Sequence, residues 1–533
     1  MLVGWVMPLR WLAGMASWAV SALLAIGALD VYIFQTTWQR LSWSNFISFG
    51  GEWSAAFDLF LKNLHNPDIA AYAVLLVVAL LWLVLEPVLL MRLLRPVRAP
   101  GVVRAALAMP LLLLLATVPV QLLDSVALGT VKPLTVDVFT YQWAYSSAAP
   151  VRPASRAAFE QRYAERASSP QSCAMGLGRR GDVVLVIMES LSSHQSQRVA
   201  GLRNWTPRID AIFEGGWTFR NFHANGFRTD LGLVAVLTGL DPVAGDATGV
   251  SVYQNAGGSG SLPVRLLRHG YATHFISGSS LFFLDADQWL PGLGFEHLHG
   301  PQPAPGETRK SYLFQSWSDQ QTYDTTLQIM AKASRPGLFV VNTMSSHMPY
   351  RNPETGQLGE QAAMEYADQA FADFYQQLVQ RGFFRQGGLL VLTGDHRSMT
   401  PMSVQERQRY GASAAARVPL LVLAEGLPSM PALQDAPFQQ ADLPPSLEYW
   451  AGDGACFRQR QRNIFQGSGT GAGRCIIHVR GDNQRYLSFF CGEEVVEVEM
   501  NDAGARVVHG AAPAGLADAM DDLVARRLGV DVH

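Results

Sequence analysis

Charge is scarce in this chain, and so is cysteine. Acidic and basic residues make up 16% of the 533 positions, against about 25% in an ordinary soluble protein. The net charge is −3. No basic stripe with interleaved aromatic residues occurs, so the electrostatic footprint of nucleic-acid binding is missing. Only four cysteines are present, Cys173, Cys456, Cys475 and Cys491. None forms a CxxC pair, which excludes a zinc ribbon and a thioredoxin-type redox centre. In an oxidising compartment two of the three C-terminal cysteines could pair, or all could be buried thiols; their spacing does not choose. No internal repeat is visible. The length exceeds that of one ordinary domain and implies two or three units.

What the chain does have is a concentrated apolar excess. Hydrophobic residues are 49% of the total, and most of the surplus falls before residue 125. Three stretches, 11–34, 69–91 and 105–123, approach the ~20 residues that cross ~30 Å of hydrocarbon as a helix. A cleaved signal peptide is disfavoured for the first, because two more spans follow and no small-x-small site stands out. Arg92, Arg95, Arg98 and Arg104 crowd the loop between the second and third, so that loop is expected to be cytoplasmic and everything after about 125 outside. The expected plan is a transmembrane region (1–125), a connector of loop and surface helix (126–180), a catalytic domain (181–450), and a C-terminal β-rich extension with a terminal helix (451–533).

From Asp182 the pattern changes. Short β-branched runs at 183–188, 272–277, 338–343, 389–393 and 419–423 alternate with amphipathic segments such as 263–269 and 362–381. This alternation predicts an α/β domain with a mostly parallel sheet flanked by helices. At 475–480, 485–491 and 495–500 apolar and polar residues alternate, which predicts an antiparallel meander.

In open α/β sheets ligands bind beyond the carboxyl ends of the strands. One predicted strand ends in Met188-Glu189-Ser190, another in Thr393-Gly394-Asp395-His396, and a third runs into Ser345-Ser346-His347-Met348-Pro349-Tyr350. Singly, each has a bland alternative: Glu189 as a cap or ion-pair partner, Asp395-His396 as structural polar residues, His347 as a satisfied histidine. Together they offer carboxylates and imidazoles suited to Zn²⁺ or Mn²⁺. Thr229, in Asn225-Gly226-Phe227-Arg228-Thr229-Asp230 before a predicted helix at 231–240, is the candidate nucleophile. A hydroxyl there meets the N–H groups and dipole that favour phosphate, although an ordinary N-cap would fit its type and place equally well.

The ordered set of strand 183–190, Gly226-Phe227-Arg228-Thr229, Ser346-His347-Met348-Pro349-Tyr350 and Gly394-Asp395-His396 resembles the lipoteichoic acid synthase and phosphoglycerol transferase branch of the alkaline phosphatase–sulfatase superfamily. The resemblance covers about 182–450. It implies an alkaline-phosphatase-like fold in which Glu189, Thr229, Asp395 and His396 bind one divalent metal, Mn²⁺ or Zn²⁺, with a second in some relatives. It implies that Thr229 carries a covalent phospho-threonine, and that His347 contacts the transferred group or helps hold a second metal. Arg228 and Phe283 are the further substrate-binding candidates. Where lipoteichoic acid synthases read Phe-Trp-Asn-Arg, this sequence has Phe283, Leu284, Asp285 and Ala286, so the phosphate-clamping arginine is absent.

The implied reaction moves a phospho-head-group, phosphoglycerol first, from a membrane phospholipid donor to a polysaccharide or other glycan acceptor outside the bacterial cytoplasmic (inner) membrane, in the periplasm. Phosphoethanolamine transfer and hydrolysis would use the same residues. A sulfatase would need a C/S-x-P-x-R motif, which Thr229-Asp230-Leu231-Gly232-Leu233 does not supply. A catalytically dead, membrane-anchored binding protein is the reading of another class, and the filled ligand positions argue against it.

Overall fold

The structure is a computed structural model. It describes residues 172–527 except 244–257, 259, 283–284, 303–314, 334–335, 349, 401, 459, 467–474, 482–485, 493, 502–503 and 512–515; before these it describes 18–19, 21–33, 60–61, 64, 70–93 and 159–161. Two compact units are present, Met1–Ser147 and Ala148–His533.

In the first unit a 24-residue helix, Ala70–Leu93, coincides with the second expected span. Its Ala73 and Leu76 pack with Tyr32 of the helical segment 21–33, and Phe60 meets the Tyr32 ring edge-on at 5.7 Å. Side chains of the Ala70–Leu93 helix are described as far as Glu86. Among the described residues no helix is long and apolar enough to cross a membrane. Of the other expected spans, 11–34 is described only in part and 105–123 lies outside the described residues.

The second unit is built on an eight-stranded sheet. Its strands are β2 (Val183–Met188), β3 (Trp217–Phe219), β5 (Ala272–Ser277), β6 (His297–His299), β7 (Gly337–Asn342), β8 (Leu389–Gly394), β9 (Leu420–Ala424) and β10 (Leu433–Gln434), in the spatial order β10-β3-β9-β8-β2-β7-β5-β6. The five expected strands are all there, within a residue or so of the predicted bounds. The sheet is mixed, because β9 runs antiparallel to both neighbours while the other pairs are parallel.

The apolar runs that announced the strands follow from burial on both faces. Val183, Leu185 and Ile187 point into one core with the helices Thr229–Thr238, Leu262–Leu267 and Leu443–Ala451. Val184, Val186 and Met188 point into another with Asp319–Met330 and Glu360–Gln380. Each such side chain removed from water contributes about 1.5–3 kcal/mol.

Within the expected connector (126–180), the last described residues include a strand. Its residues 172–175 form β1 (Ser172–Met175), which pairs with β12 (Gly454–Phe457), and the disulfide Cys173–Cys456 joins them. Cys456 therefore pairs outside the C-terminal trio considered from sequence; within that trio Cys475 joins Cys491. Two-residue strands β4 (Phe222–His223) and β11 (Phe438–Gln439) also pair.

Where three alternating stretches were expected, the structure has a four-stranded antiparallel sheet: β13 (Ile476–Val479), β14 (Tyr486–Cys491), β15 (Glu494–Asn501) and β16 (Gly504–His509). The terminal helix, Leu516–Arg527, covers it. Phe159 and Leu231 enter the same core.

Candidate metal and nucleophile site

Register brings the chemistry together. β2 and β8 are parallel neighbours, with Met188 opposite Gly394. The residues that follow, Glu189 and Asp395, therefore emerge side by side. β7 flanks β2 on its other side, and Thr343, just beyond it, accepts the backbone N–H of Glu189 at 3.2 Å. The helix bearing Thr229 lies against this end of the sheet. Gly232 permits that approach, since a Cβ there would stand 2.1 Å from the carbonyl oxygen of Asp395. Thr229 is the first residue of the helix rather than its cap; the cap is Arg228.

Ser190 ties the two carboxylates together. Its N–H donates to Asp395 Oδ1 at 2.8 Å, and its hydroxyl donates to Glu189 Oε1 at 2.9 Å. To do so it adopts φ = 58°, a left-handed conformation that costs a non-glycine residue of order 1 kcal/mol. Asp395 Oδ1 also accepts the N–H of His396 at 2.8 Å, whereas Oδ2 is buried and accepts no hydrogen bond. The Nδ1–H of His396 donates to the carbonyl of Arg397 at 2.7 Å. That bond turns Nε2 toward the carboxylates, 3.2 Å from Asp395 Oδ2 and 3.5 Å from Glu189 Oε1.

Thr229 completes the group. Its hydroxyl lies 3.3 Å from Glu189 Oε2 and 3.3 Å from His396 Nε2.

Glu189, Asp395 and His396 are all buried, and one ligand atom from each lies within 4.8 Å of the others; no other triplet of such side chains among the described residues does so. Burial first, then the Asp395 carboxylate, push Glu189 up to about 8, with His396 opposing the shift. An orphaned carboxylate oxygen facing an imidazole nitrogen and a second carboxylate is a donor set that suits a divalent cation. The Arg397 carbonyl supplies the partner that fixes the ligand histidine's tautomer. These residues fit the metal that the resemblance implied.

The remaining candidates fare differently. His347 lies after β7, with Nδ1 donating to the Met348 carbonyl at 2.7 Å; burial lowers its pKa, and the Asp395 charge acts on it in the opposite sense. It stands near the cluster without joining the triplet. Arg228 makes a two-bond ion pair with Asp230, at 3.1 and 2.7 Å, which offsets the charge a substrate phosphate would need. Phe283 lies outside the described residues.

Sequence reasoning passed over a buried ionic network behind the ligands. Arg397 donates to both carboxylate oxygens of Glu406, at 2.6 and 2.8 Å. His194 lies 2.9 Å from Glu360 and 3.4 Å from Glu406. Gln195 and Thr400 also donate to Glu360, each at 2.8 Å. Although burial opposes it, His194 and Arg397 hold Glu360 well below the usual carboxylate range, and Arg397 lowers Glu406. The adjacency of Arg397 to His396 was the one available sequence signal.

It missed the outer support of the nucleophile loop as well. Asn225 donates to the Ile477 carbonyl at 2.8 Å and accepts the Val479 N–H at 2.9 Å, so β13 braces the loop. On the other side of the loop, the Phe227 ring lies 6.3 Å from that of His396.

Two carboxylates and one imidazole beside a hydroxyl at a helix N-terminus, on the carboxyl edge of a helix-covered sheet, form a donor set that could hold a divalent cation,. Residues 181–453 match the family described as Sulfatase, just over half of the chain, and the protein belongs to that family.

Among solved structures, it is similar to a protein in the alkaline phosphatase superfamily from Vibrio parahaemolyticus. The identity is 18% and the TM-score 0.52, over 72% of this chain and 98% of that one. Another is the lipoteichoic acid synthase LtaP from Listeria monocytogenes, at 17% and 0.49, over 66% and 91%. A third is the C-terminal periplasmic domain of EcEptC from Escherichia coli, at 16% and 0.41, over 57% and 92%. No curated protein matches the sequence.

Proposed function

We propose that this protein is a transferase that moves a phospho-head-group, phosphoglycerol first, from a membrane phospholipid to an extracytoplasmic glycan through a phospho-threonine at Thr229. The observation that carries the reading is the position of the Thr229 hydroxyl, 3.3 Å from both Glu189 Oε2 and His396 Nε2 at the start of a helix. Threonine cannot mature to formylglycine, which weighs against sulfate-ester hydrolysis although relatives at this fold include sulfatases. Two disulfides favour a compartment outside the cytoplasm,. Exposed Val74, Val78, Leu81 and Val84 on the Ala70–Leu93 helix support an anchor in lipid,. The same reading places the protein in the bacterial inner membrane with the catalytic domain in the periplasm.

Glu189, Asp395, His396 and the Thr229 oxygen would hold the divalent cation, Mn²⁺ or Zn²⁺. Such an ion lowers the pKa of a bound hydroxyl and offsets charge on phosphate oxygens. The Thr229 oxygen attacks phosphorus, the bond from phosphorus to the diacylglycerol oxygen breaks, and the threonine proton ends on the departing diacylglycerol. An acceptor hydroxyl then attacks the phospho-threonine; Thr229 leaves and regains a proton from that hydroxyl. Backbone N–H groups of the first helical turn face the anion. Ser190 keeps both carboxylates aimed throughout.

The test is to incubate the full-length protein with Mn²⁺ or Zn²⁺ and a phospholipid panel, then weigh the peptide containing Thr229. A glycerol-phosphate adduct, absent in Thr229→Ala, is expected. A phosphoethanolamine adduct would reassign the donor. Release of free head group without any adduct on the metal-loaded protein would replace the transferase by a hydrolase.

A further inference from the structure

Arginine is almost never fully buried unless it is paired, and the terminal helix carries an exception. Arg526 lies one turn after Asp522 on the helix Leu516–Arg527 and is 4% exposed. Its Nε and Nη1 are buried and meet no hydrogen-bond acceptor. Arg460, on the loop after β12, has a buried Nη1 in the same condition. Among the described residues no other arginine or lysine has such a nitrogen.

The carboxylates nearby are already engaged by one atom. Nη2 of Arg460 donates to Asp522 Oδ2 at 3.1 Å and lies 3.2 Å from Asp241 Oδ2. Side chains four apart on a helix are neighbours, so this pairing with Asp522 brings the Arg460 guanidinium beside that of Arg526. The charged groups acting on Arg526 are Asp241 and Asp522 on one side and Arg458 and Arg460 on the other. Counting Arg526 itself, three cations face two anions. Burial first, then Arg458 and Arg460, push Arg526 down to about 10, with Asp241 and Asp522 opposing. It therefore keeps its charge at pH 7.

A buried charge without a direct partner is strongly destabilising, and orphaned donors of this kind point to a bound water or ion. Water would leave the surplus charge uncompensated. A tetrahedral oxyanion supplies several acceptor oxygens and the missing negative charge together, and guanidinium donors suit phosphate. Access is from the rim, where the Arg460 and Asp522 side chains are 27% and 30% exposed.

We propose that Arg526 and Arg460 bind a phosphate group, free or on a lipid head group, at a non-catalytic site beside the terminal helix, and that its occupancy steadies the nucleophile loop. The link is Asp241. Its Oδ2 faces Arg460, and its Oδ1 accepts the Nδ2–H of Asn225 at 3.2 Å. An anion that fixes Arg460 fixes Asp241, and with it the loop that leads to Thr229.

The experiment uses the full-length chain in detergent, with EDTA present so that no metal at the Glu189, Asp395 and His396 cluster captures the ligand. Inorganic phosphate is titrated by calorimetry at constant ionic strength into wild type, Arg526→Gln and Arg526→Lys, and hydrogen exchange is followed at 224–230 and 516–527. Wild type is expected to bind one phosphate per chain and to slow exchange in both segments. Arg526→Gln should weaken binding about tenfold or more, and Arg526→Lys should recover part of it. Without phosphate, Arg526→Gln should melt no lower than wild type, because it removes an unpaired buried charge; lost binding is then not lost fold. Short-chain phosphatidylglycerol, with short-chain phosphatidylcholine as its control, separates the sources. A response to phosphatidylglycerol but not to inorganic phosphate assigns a lipid head group, and the converse assigns free phosphate. The site is overturned if neither ligand binds, or if Arg526→Gln binds as wild type does. Binding without slower exchange at 224–230 overturns the link to the loop. None of these readouts uses transferase activity, so a failed Thr229 adduct experiment leaves them standing.

Discussion

Two groups of buried acids sit back to back at the carboxyl edge of the sheet, and they respond to burial in opposite ways. Glu189, beside Asp395, is pushed up to about 8. Glu360 and Glu406, facing His194 and Arg397, are held below their ordinary value. Depth alone does not separate them, since all are largely out of water. The difference is whether the counter-charge is supplied by the chain. The rear network carries its own cations and is structurally complete. Among the described residues the front cluster has only His396 against two carboxylates and no arginine like Arg397, which is the physical signature of a site that takes a cation from outside.

The largest effect expected from breaking the front cluster is on turnover. Thr229→Ala or Asp395→Asn should lower turnover of a phosphodiester by about 10⁴-fold or more, with the fold intact by circular dichroism. Activity within tenfold of wild type in Thr229→Ala would remove the nucleophile assignment. Breaking the rear network should instead cost stability. Arg397→Met strands Glu406 without its partner and should destabilise by about 3–5 kcal/mol in denaturant titration. A change below 1 kcal/mol there would mean that the two groups are not different in kind.

Stabilising the loop from outside ranks next. Replacing Cys475 and Cys491 by serine opens a 16-residue link, for which chain entropy predicts about 3 kcal/mol. Because β13 braces Asn225, turnover should fall along with Tm. The smallest expected effect has the opposite sign. Glu189→Gln should raise the Tm of the metal-free protein, by about 1–2 kcal/mol of stability, while abolishing the Tm gain on adding Mn²⁺.

The pH dependence sharpens the same contrast. Glu189 has a raised pKa when folded, so its contribution is fully present below 4.5 and is lost as pH rises toward about 8,. Glu360 and Glu406 have lowered values; theirs is present above 4.5 and is lost as pH falls through those values,. Thermal melts of metal-free wild type, Glu189→Gln and Glu406→Gln across acid and neutral pH would separate the two slopes. Equal slopes in all three would count against the distinction.

Much of the front cluster was legible in the sequence, and little of the rear one. Strands buried on both faces must be apolar throughout, so a polar residue directly after one, as at Glu189 or Asp395, stands out. Thr229 was legible as a helix start, though its cap proved to be Arg228. His194, Glu360 and Glu406 come from separate loops and helix starts and meet only through tertiary packing; no local period marks them. β1 reads Ser-Cys-Ala-Met, too short and mixed to announce itself, and its pairing with β12 hid the partner of Cys173. β16 escaped notice because its Gly-Ala-Arg-Val-Val-His sequence alternates only weakly. Arg228 was legible as a neighbour of the nucleophile, but not its pairing with Asp230.

The bracing of Ala224 and Asn225 by β13 has a consequence for how the enzyme comes into being. His478 Nδ1 donates to the Ala224 carbonyl across 254 residues of chain. The nucleophile is synthesised early and its brace late, so a growing chain carries Thr229 for most of its synthesis without the strand that aims it. Contacts of such long range close last. A truncated or half-translated product thus lacks the brace, and a fully held Thr229 loop arrives as a proofreading mark that the whole domain has been made.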